Sequence, residues 1–87
     1  MVHENVEKIR VAKGVTKTYL AGKLEMSVQG YRHIASGKTR LDVERLKIIA
    51  DSLGVAPAVF YDDKLTDSVI AKHDLRATGT DGLPPMG

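Results

Sequence analysis

Gln29 and Arg32 lie three residues apart, and each side chain can hold a nucleic-acid base through a pair of hydrogen bonds. A glutamine amide can pair with N6 and N7 of adenine, and an arginine guanidinium with O6 and N7 of guanine. Of their neighbours, Val28 can contact a thymine methyl group, and His33 can donate or accept a hydrogen bond or meet a phosphate. If one helix presents these residues on its exposed side, that side is a candidate surface for reading base edges.

The segment Thr16–Gly37 contains the elements that would position these side chains, since it reads as two short helices joined by a tight turn. Thr16 can cap the first helix. That helix then carries an apolar stripe at i, i+1 and i+4, formed by Leu20, Ala21 and Leu24.

The second helix of the segment opens after the turn at Glu25-Met26, and Ser27 is its predicted cap. Tyr31, Ile34 and Ala35 fall on one side at i, i+3 and i+4. Gly37 stands where a helix commonly ends in a left-handed residue. The spacing therefore predicts a helix over Val28–Ser36 that is held to a core on one side and exposed on the other.

Phosphate contacts are predicted on both flanks of this helix. The two helix starts offer backbone N–H groups, which suit anions. Basic and hydroxyl side chains surround them, although a solvated surface lysine is the simpler interpretation of any one of these lysines taken alone. The candidates are Thr16, Lys23, Ser27, Lys38, Thr39 and Arg40.

Composition limits the chain to one ordinary domain, since it has 87 residues. Cysteine is absent, which excludes a disulfide framework and favours a reducing, cytoplasmic setting. The net charge of +2 is unevenly placed: residues 1–61 hold ten Lys and Arg against six Asp and Glu, and residues 62–87 hold three against five. A basic body of this kind is compatible with a polyanionic partner.

The remaining elements follow from periodicity and from Gly and Pro positions. We predict a first helix over residues 3–13, a fourth over 43–52 capped by Asp42 with Val43 on its inner side, and a short fifth from Pro57 to Tyr61. A sixth helical segment, capped by Thr66, is predicted over residues 66–75. The chain then divides into a domain over residues 1–61, a segment over 62–75, and a disordered tail over 76–87 that is rich in Gly and Pro.

The chain resembles the helix-turn-helix domain of the lambda-type repressor and Cro family, also called the XRE family, over about residues 4–61. The resemblance implies an all-α, five-helix fold and a sequence-specific regulator of transcription that binds double-stranded DNA. It also implies that Lys17, at the opening of the first motif helix, bridges phosphate and base. The residues that carry it are Gly14-Val15-Thr16, Leu20-Ala21, Ser27, Ile34, Ser36-Gly37-Lys38, Leu46, Ala50-Asp51-Ser52-Leu53-Gly54-Val55 and Phe60.

Four positions depart from the family pattern. Glu25 stands where glycine is usual, so it must adopt a positive φ or change the turn. Tyr31 replaces an aliphatic residue and is expected in the core with its hydroxyl at the edge, the alternative being a phosphate contact. Tyr19 replaces a glutamate and either packs against a neighbour or bonds a phosphate. Leu41 replaces a frequent proline.

Proteins of this family usually work as symmetric pairs that read two half-sites. The resemblance places the self-association surface around the fifth helix and the segment after it. An alternative is that these apolar residues only seal a small core. The candidates are Val55, Val59, Tyr61, Val69 and Ile70.

Three functions were weighed against each other. The leading one is a dimeric repressor of phage or bacterial origin, acting on the nucleoid. The second is an antitoxin, or a restriction–modification controller, that pairs with a partner protein through the C-terminal segment and regulates its own operon. An enzyme is disfavoured, because His3, His33 and His73 lack ligand spacing and Asp62-Asp63 is an isolated acidic pair; no cofactor, metal site or membrane span is expected.

Overall fold

A computed structural model describes residues 1–82 of the chain, with side chains described for residues 1–73. Every element in this range is helical, which confirms the all-α prediction. The elements are α1 (Val2–Ala12), α2 (Lys17–Lys23), α3 (Val28–Ala35), α4 (Val43–Leu53), a 3₁₀ helix (Pro57–Tyr61) and α5 (Asp63–Gly82).

The helix starts follow the predicted caps. Thr16 Oγ1 accepts a hydrogen bond from the Tyr19 amide at 3.0 Å, and Ser27 Oγ accepts one from the Gly30 amide at 3.0 Å. Asp42 Oδ1 accepts from the Arg45 amide at 2.7 Å. Each cap pairs an amide that the helix itself leaves without a partner. These short elements are therefore defined by local sequence as well as by packing.

The core is formed by the inner faces of α1 to α4 together with the 3₁₀ helix. The apolar stripes predicted from spacing are buried, with one exception. Val43 was predicted on the inner side of α4 but is 76% exposed, because it is the first residue of the helix and the buried face begins only at Leu46, three residues later. The buried apolar residues are Val6, Ile9, Leu20, Ala21, Tyr31, Ile34, Leu46, Ile49, Ala50, Leu53 and Phe60.

The start of α5 differs from the prediction, which made Thr66 a cap. The helix begins at Asp63, and Asp62 Oδ1 accepts hydrogen bonds from the amides of Lys64 and Leu65 at 2.8 and 3.1 Å. Thr66 is instead fully buried inside the helix, where its hydroxyl donates to the Val59 carbonyl at 2.7 Å. An aspartate immediately before the helix provides a stronger cap than a threonine within it.

The far end of α5 also differs from the prediction, which ended the helix at Leu75 and began a disordered tail at residue 76. The helix runs to Gly82. Because α5 packs on α1, its nucleus has tertiary support, and each further residue adds one hydrogen bond without a new nucleation step. The rest of the predicted tail, residues 83–87, lies outside the described residues. Within residues 1–82, no helix is both long enough and apolar enough to cross a bilayer.

Candidate nucleic-acid interface

Helix α3 has two contrasting sides. Tyr31 and Ile34 are buried against the core, whereas Gln29 and Arg32 are exposed and His33 is half-buried. Because α3 is a single short helix, burial of the Tyr31 ring in the core also fixes the direction of the neighbouring residues Gly30 and Arg32 and of the whole opposite side. The exposed side is the one that sequence analysis predicted to read bases.

Gln29 and His33 are held together on this exposed side. The side-chain amide nitrogen of Gln29 lies 3.3 Å from Nε2 of His33, one helical turn away. An amide N–H can donate to the ring nitrogen when that nitrogen is unprotonated. The contact restricts both side chains before any ligand arrives, which lowers the entropy lost on binding.

Val28 is a weaker candidate for base contact than its neighbours. Its side chain is half-buried and packs against the core cluster. Only the remaining exposed part can meet a thymine methyl group. The base-reading surface therefore depends mainly on Gln29 and Arg32.

Gly30 lies between the base-reading side chains and is not required by the packing of the protein. A Cβ built at this position would meet Ser27 Oγ at 3.4 Å and Met26 Sδ at 3.6 Å, which are ordinary contacts. The two explanations that remain are close approach of the helix backbone to DNA and a tolerated surface glycine. They make different predictions for the DNA affinity of Gly30→Ala.

The predicted phosphate contacts around α2 are accessible. Thr16 and Ser27 are exposed, and a hydroxyl that accepts a hydrogen bond in a cap can still donate one to a phosphate. The Lys23 ammonium lies 5.3 Å from the centroid of the Tyr19 ring, within range of a cation–π contact. Tyr19 therefore packs against a neighbour, one of its two predicted roles. Lys17 is half-buried at the start of α2.

The second group of predicted phosphate contacts, Lys38, Thr39 and Arg40, forms an exposed loop after α3. The amides of Lys38 and Thr39 both donate to the His33 carbonyl, at 2.9 and 3.1 Å. These two hydrogen bonds attach the loop to the C-terminal end of α3. In the predicted interface, the loop would help to hold α3 on DNA.

The chain can turn into this loop because Gly37 adopts a φ of +85°. The backbone angle favours glycine there, and a Cβ at Gly37 would lie 2.9 Å from the ring of His3, so that ring would have to shift for any other residue. The C-terminal stop predicted for α3 is confirmed.

The turn between α2 and α3 keeps its usual geometry despite the glutamate. Glu25 has a φ of +57°, the first of the two outcomes predicted for it. Its amide donates to the Gly22 carbonyl at 3.1 Å, and the Met26 amide donates to the Ala21 carbonyl at 3.0 Å. Since a left-handed conformation costs a non-glycine residue about 1–2 kcal/mol, the packing of α2 on α3 must offset that cost.

A polar network that sequence analysis missed joins α1, α3 and the loop before α2. The Tyr31 hydroxyl donates to Glu7 Oε2 at 2.7 Å, and the Arg10 guanidinium donates to both oxygens of Glu7 at 2.9 Å. Arg10 also donates to the Val15 carbonyl at 2.6 Å. Tyr31 is therefore a core residue with its hydroxyl bonded inside the protein, which is the first of its two predicted roles.

The network is charged and only partly covered by protein. The side chain of Arg10 is 12% exposed and that of Glu7 is 22% exposed. Partial burial raises the pKa of Glu7, but hydrogen bonds from Arg10 and Tyr31 and the charges of Arg10 and Lys17 outweigh it, so this pKa lies below its usual value. Burial, followed by the hydrogen bond to Glu7, raises the pKa of Tyr31 well above its usual value. At neutral pH, the carboxylate is ionised and the tyrosine is a neutral donor.

One half of this network had a signal in the sequence. Glu7 and Arg10 are spaced i,i+3, a distance at which opposite charges meet on a helix. The contact with Tyr31 spans 24 positions of the chain, so local spacing gives no indication of it.

The five predicted dimerisation residues do not form one patch. Val55, Val59 and Val69 line one groove, Ile70 lines a second beside Val11 of α1, and Tyr61 lines a third beside Met1. All except Tyr61 are half-buried and pack against the chain's own core. Tyr61 is 63% exposed.

Other kinds of site were also sought. Among the residues that the structure describes, no group of three His, Cys, Asp or Glu side chains is placed to hold a metal ion. The three histidines of the sequence were predicted to lack ligand spacing. The candidate functional site is therefore the exposed side of α3, with basic and hydroxyl side chains on either flank.

Comparison with known proteins agrees with this geometry. The model of the helix-turn-helix family matches residues 6–60, more than half of the chain. No curated protein and no solved structure gives a significant match. The matched residues run from the middle of α1 through most of the 3₁₀ helix and include all of the candidate interface. Domains of this family bind DNA and are generally not enzymes. The chain therefore belongs to the lambda-type repressor, or XRE, family of helix-turn-helix proteins and is a DNA-binding regulator of transcription.

Proposed function

We propose that this protein is a sequence-specific repressor that binds a pseudo-palindromic operator as a dimer and blocks access of polymerase. The observation that supports the proposal most directly is the contrast between the two sides of α3. Its inner residues Tyr31 and Ile34 are buried, and its outer residues Gln29 and Arg32 are exposed and can form bidentate contacts with bases.

Phosphate contacts supply the affinity that is independent of sequence. In the proposed complex, the start of α2 at Thr16 and Lys17 lies on one flank of α3 and the loop over residues 38–40 lies on the other. Contacts with about 6–10 phosphates per dimer would make the logarithm of affinity fall with the logarithm of salt concentration at a slope of roughly −5 to −9.

The dimer is proposed to form along the 3₁₀ helix and the start of α5. Tyr61 is exposed at the end of the 3₁₀ helix, and Leu65, four residues later in α5, is 46% exposed. The other residues predicted for this surface, Val55, Val59, Val69 and Ile70, can contribute only the parts that their own core leaves uncovered. A two-fold axis near Tyr61 would make the patch complementary to itself.

A second candidate function is supported by the length of α5. The helix covers 20 residues and lies beyond the family match, which ends at residue 60. Such an element offers a separate surface for a partner protein, as an antitoxin or a controller protein would need. Co-purification of a small partner encoded in the same operon would favour this function over that of a stand-alone repressor.

Selection of bound sites from a pool of random duplexes tests the main proposal. We expect a pseudo-palindrome with half-sites about 10 base pairs apart, centre to centre. A single asymmetric half-site would contradict the dimer, and recovery of no preferred sequence would contradict base reading altogether.

The selected duplex then allows a test of Arg32. We expect Arg32→Ala to weaken binding to the selected site by about 1–3 kcal/mol while changing binding to random DNA far less. Lys47→Ala, which removes an exposed charge from α4 at a position that is not a predicted contact, is the matched control. Equal losses on both kinds of DNA would assign Arg32 to phosphate rather than to a base.

A further inference from the structure

The carboxylate of Glu7 connects the two helices that the proposed function places on DNA. One of its oxygens, Oε2, accepts hydrogen bonds from the Tyr31 hydroxyl of α3 at 2.7 Å and from Nε of Arg10 at 2.9 Å. Arg10 also donates a hydrogen bond to the Val15 carbonyl at 2.6 Å. Val15 immediately precedes the cap of α2, so an unbroken series of polar contacts joins α3 to the start of α2.

We propose that Glu7 is a positioning residue for DNA reading, which holds α3 at a fixed rotation through Tyr31 and fixes the start of α2 through Arg10. The inference rests on the proposed function, because it concerns the same DNA-binding surface. It assigns a role to a residue that has no place on that surface itself. Glu7 lies on α1, and its contacts run inward to its neighbours.

The ring and the hydroxyl of Tyr31 have different effects on the position of α3. The ring is fully buried, and its packing fixes how closely α3 approaches the core. Packing of a ring against aliphatic groups is weakly directional, whereas a hydrogen bond is strongly directional. The hydroxyl at 2.7 Å from Glu7 therefore fixes the rotation of α3 about its own axis.

A small rotation of α3 has a large effect at its outer side. Side chains reach about 5–6 Å from a helix axis, so a rotation of about 10° displaces their outer atoms by about 1 Å. A bidentate contact between Arg32 and a base needs both of its hydrogen bonds in good alignment. Loss of the Tyr31 hydroxyl should therefore affect base reading before it affects phosphate contacts.

Two variants test this role, each in the full chain. Tyr31→Phe removes only the hydroxyl and leaves the net charge near DNA unchanged. Glu7→Gln keeps the shape of the side chain but loses the two-oxygen contact with Arg10. The matched control is Glu4→Gln, which makes the same chemical change one turn earlier on α1, at a residue whose described ion pair is with the N-terminal amine rather than with α3.

Binding is measured with the selected duplex and with a random duplex, at a temperature where all variants are folded by circular dichroism. We expect Tyr31→Phe and Glu7→Gln each to lower the ratio of specific to non-specific affinity by about tenfold. The double variant should lose little more than either single variant, since both disrupt the same network of Tyr31, Glu7 and Arg10. Glu4→Gln should keep the wild-type ratio.

A second measurement needs no DNA. Residual dipolar couplings of backbone amides report the orientation of α3 relative to α1, which we expect to change in Tyr31→Phe and not in Glu4→Gln. An unchanged orientation together with an unchanged affinity ratio would overturn the positioning role, even if the variants were less stable. If the wild-type protein prefers no duplex, the proposed function fails, and the orientation measurement still decides whether Glu7 sets the rotation of α3.

Discussion

Helix α1 carries two polar side chains that hold other parts of the chain in different ways. Asn5 is 2% exposed, and its amide donates to the Phe60 carbonyl and to Asp63 Oδ1, both at 2.9 Å. Glu7, two residues later, is partly exposed and accepts hydrogen bonds from Arg10 and Tyr31. The first contact attaches the 3₁₀ helix and α5, and the second attaches α3.

The difference between these contacts lies in charge and burial. A neutral amide can be buried at low cost when both of its N–H groups are satisfied, and its bond to a backbone carbonyl does not titrate. A carboxylate can bind three donors at once, but it loses that capacity when it is protonated. The bond that holds the 3₁₀ helix, from Asn5 to the Phe60 carbonyl, is therefore independent of pH, whereas the bonds that hold α3 depend on the charge of Glu7. Asn5 reaches α5 through the Asp63 carboxylate, and this hydrogen bond lowers the pKa of Asp63.

The largest effect should come from breaking the contacts of Asn5. Asn5→Asp replaces a donor with a carboxylate that faces the Phe60 carbonyl and the Asp63 carboxylate, so we expect the free energy of unfolding to fall by about 3 kcal/mol. Urea titration at neutral pH measures the loss. Ser68→Ala, at an exposed position of α5, is the control. A loss no larger than that of the control would mean that Asn5 contributes little to holding α5.

A smaller change in the free energy of unfolding, in the opposite direction, tests the outer side of α3. Because a Cβ fits at Gly30, we expect Gly30→Ala to raise the free energy of unfolding by about 0.5–1 kcal/mol. Binding to the selected duplex then separates the two explanations for this glycine. Weaker binding by the more stable variant would indicate close approach of the helix to DNA, and unchanged binding would indicate a tolerated glycine. A loss of stability would contradict the packing described for α3.

The smallest expected change is in how stability depends on pH through Glu7. It is small because burial raises the pKa of Glu7 and so opposes the hydrogen bonds that lower it. Since that pKa is lower in the folded chain than its usual value of 4.5, ionised Glu7 stabilises the fold above pH 4.5, and this contribution disappears as the pH falls through the folded pKa. We expect the stability difference between the wild type and Glu7→Gln to shrink with acidification, in urea titrations from neutral to acidic pH.

The groups around Glu7 define the control for that experiment. Arg10 on α1, Tyr31 on α3 and Lys17 on α2 act on its carboxylate. The pKa values of Arg10 and Tyr31 are raised, so both stay protonated between neutral pH and pH 4.5. Glu4 and Lys8 line the same groove. Glu4→Gln therefore serves as the control, and an equal pH dependence in both variants would contradict the assignment to Glu7.

The parts of the fold that were predictable from sequence are those that depend on neighbours in the chain. The caps at Thr16, Ser27 and Asp42 act over three residues, and the burial of Tyr31 and Ile34 follows from helical spacing. The exposed side of α3 follows from the same spacing. These features required no knowledge of which helices meet.

The features that were not predictable depend on contacts between distant segments. Asn5 meets Phe60 across 55 positions, so nothing near Asn5 distinguishes it from a surface residue. Val43 has the spacing of a core residue, but it is the first residue of α4 and lies outside the buried face that begins at Leu46. Thr66 has the sequence of a cap, yet it is buried because Asp62 starts the helix earlier.

The packing of His3 against Gly37 has a practical consequence for work with this protein. Met1, Val2 and His3 share a groove with the loop over residues 38–40, so anything fused ahead of Met1 would emerge beside the lysine and arginine of that loop. If this loop contacts phosphate as proposed, a purification tag placed there would compete with the nucleic acid for space. Binding measurements should therefore use protein from which such a tag has been removed by protease.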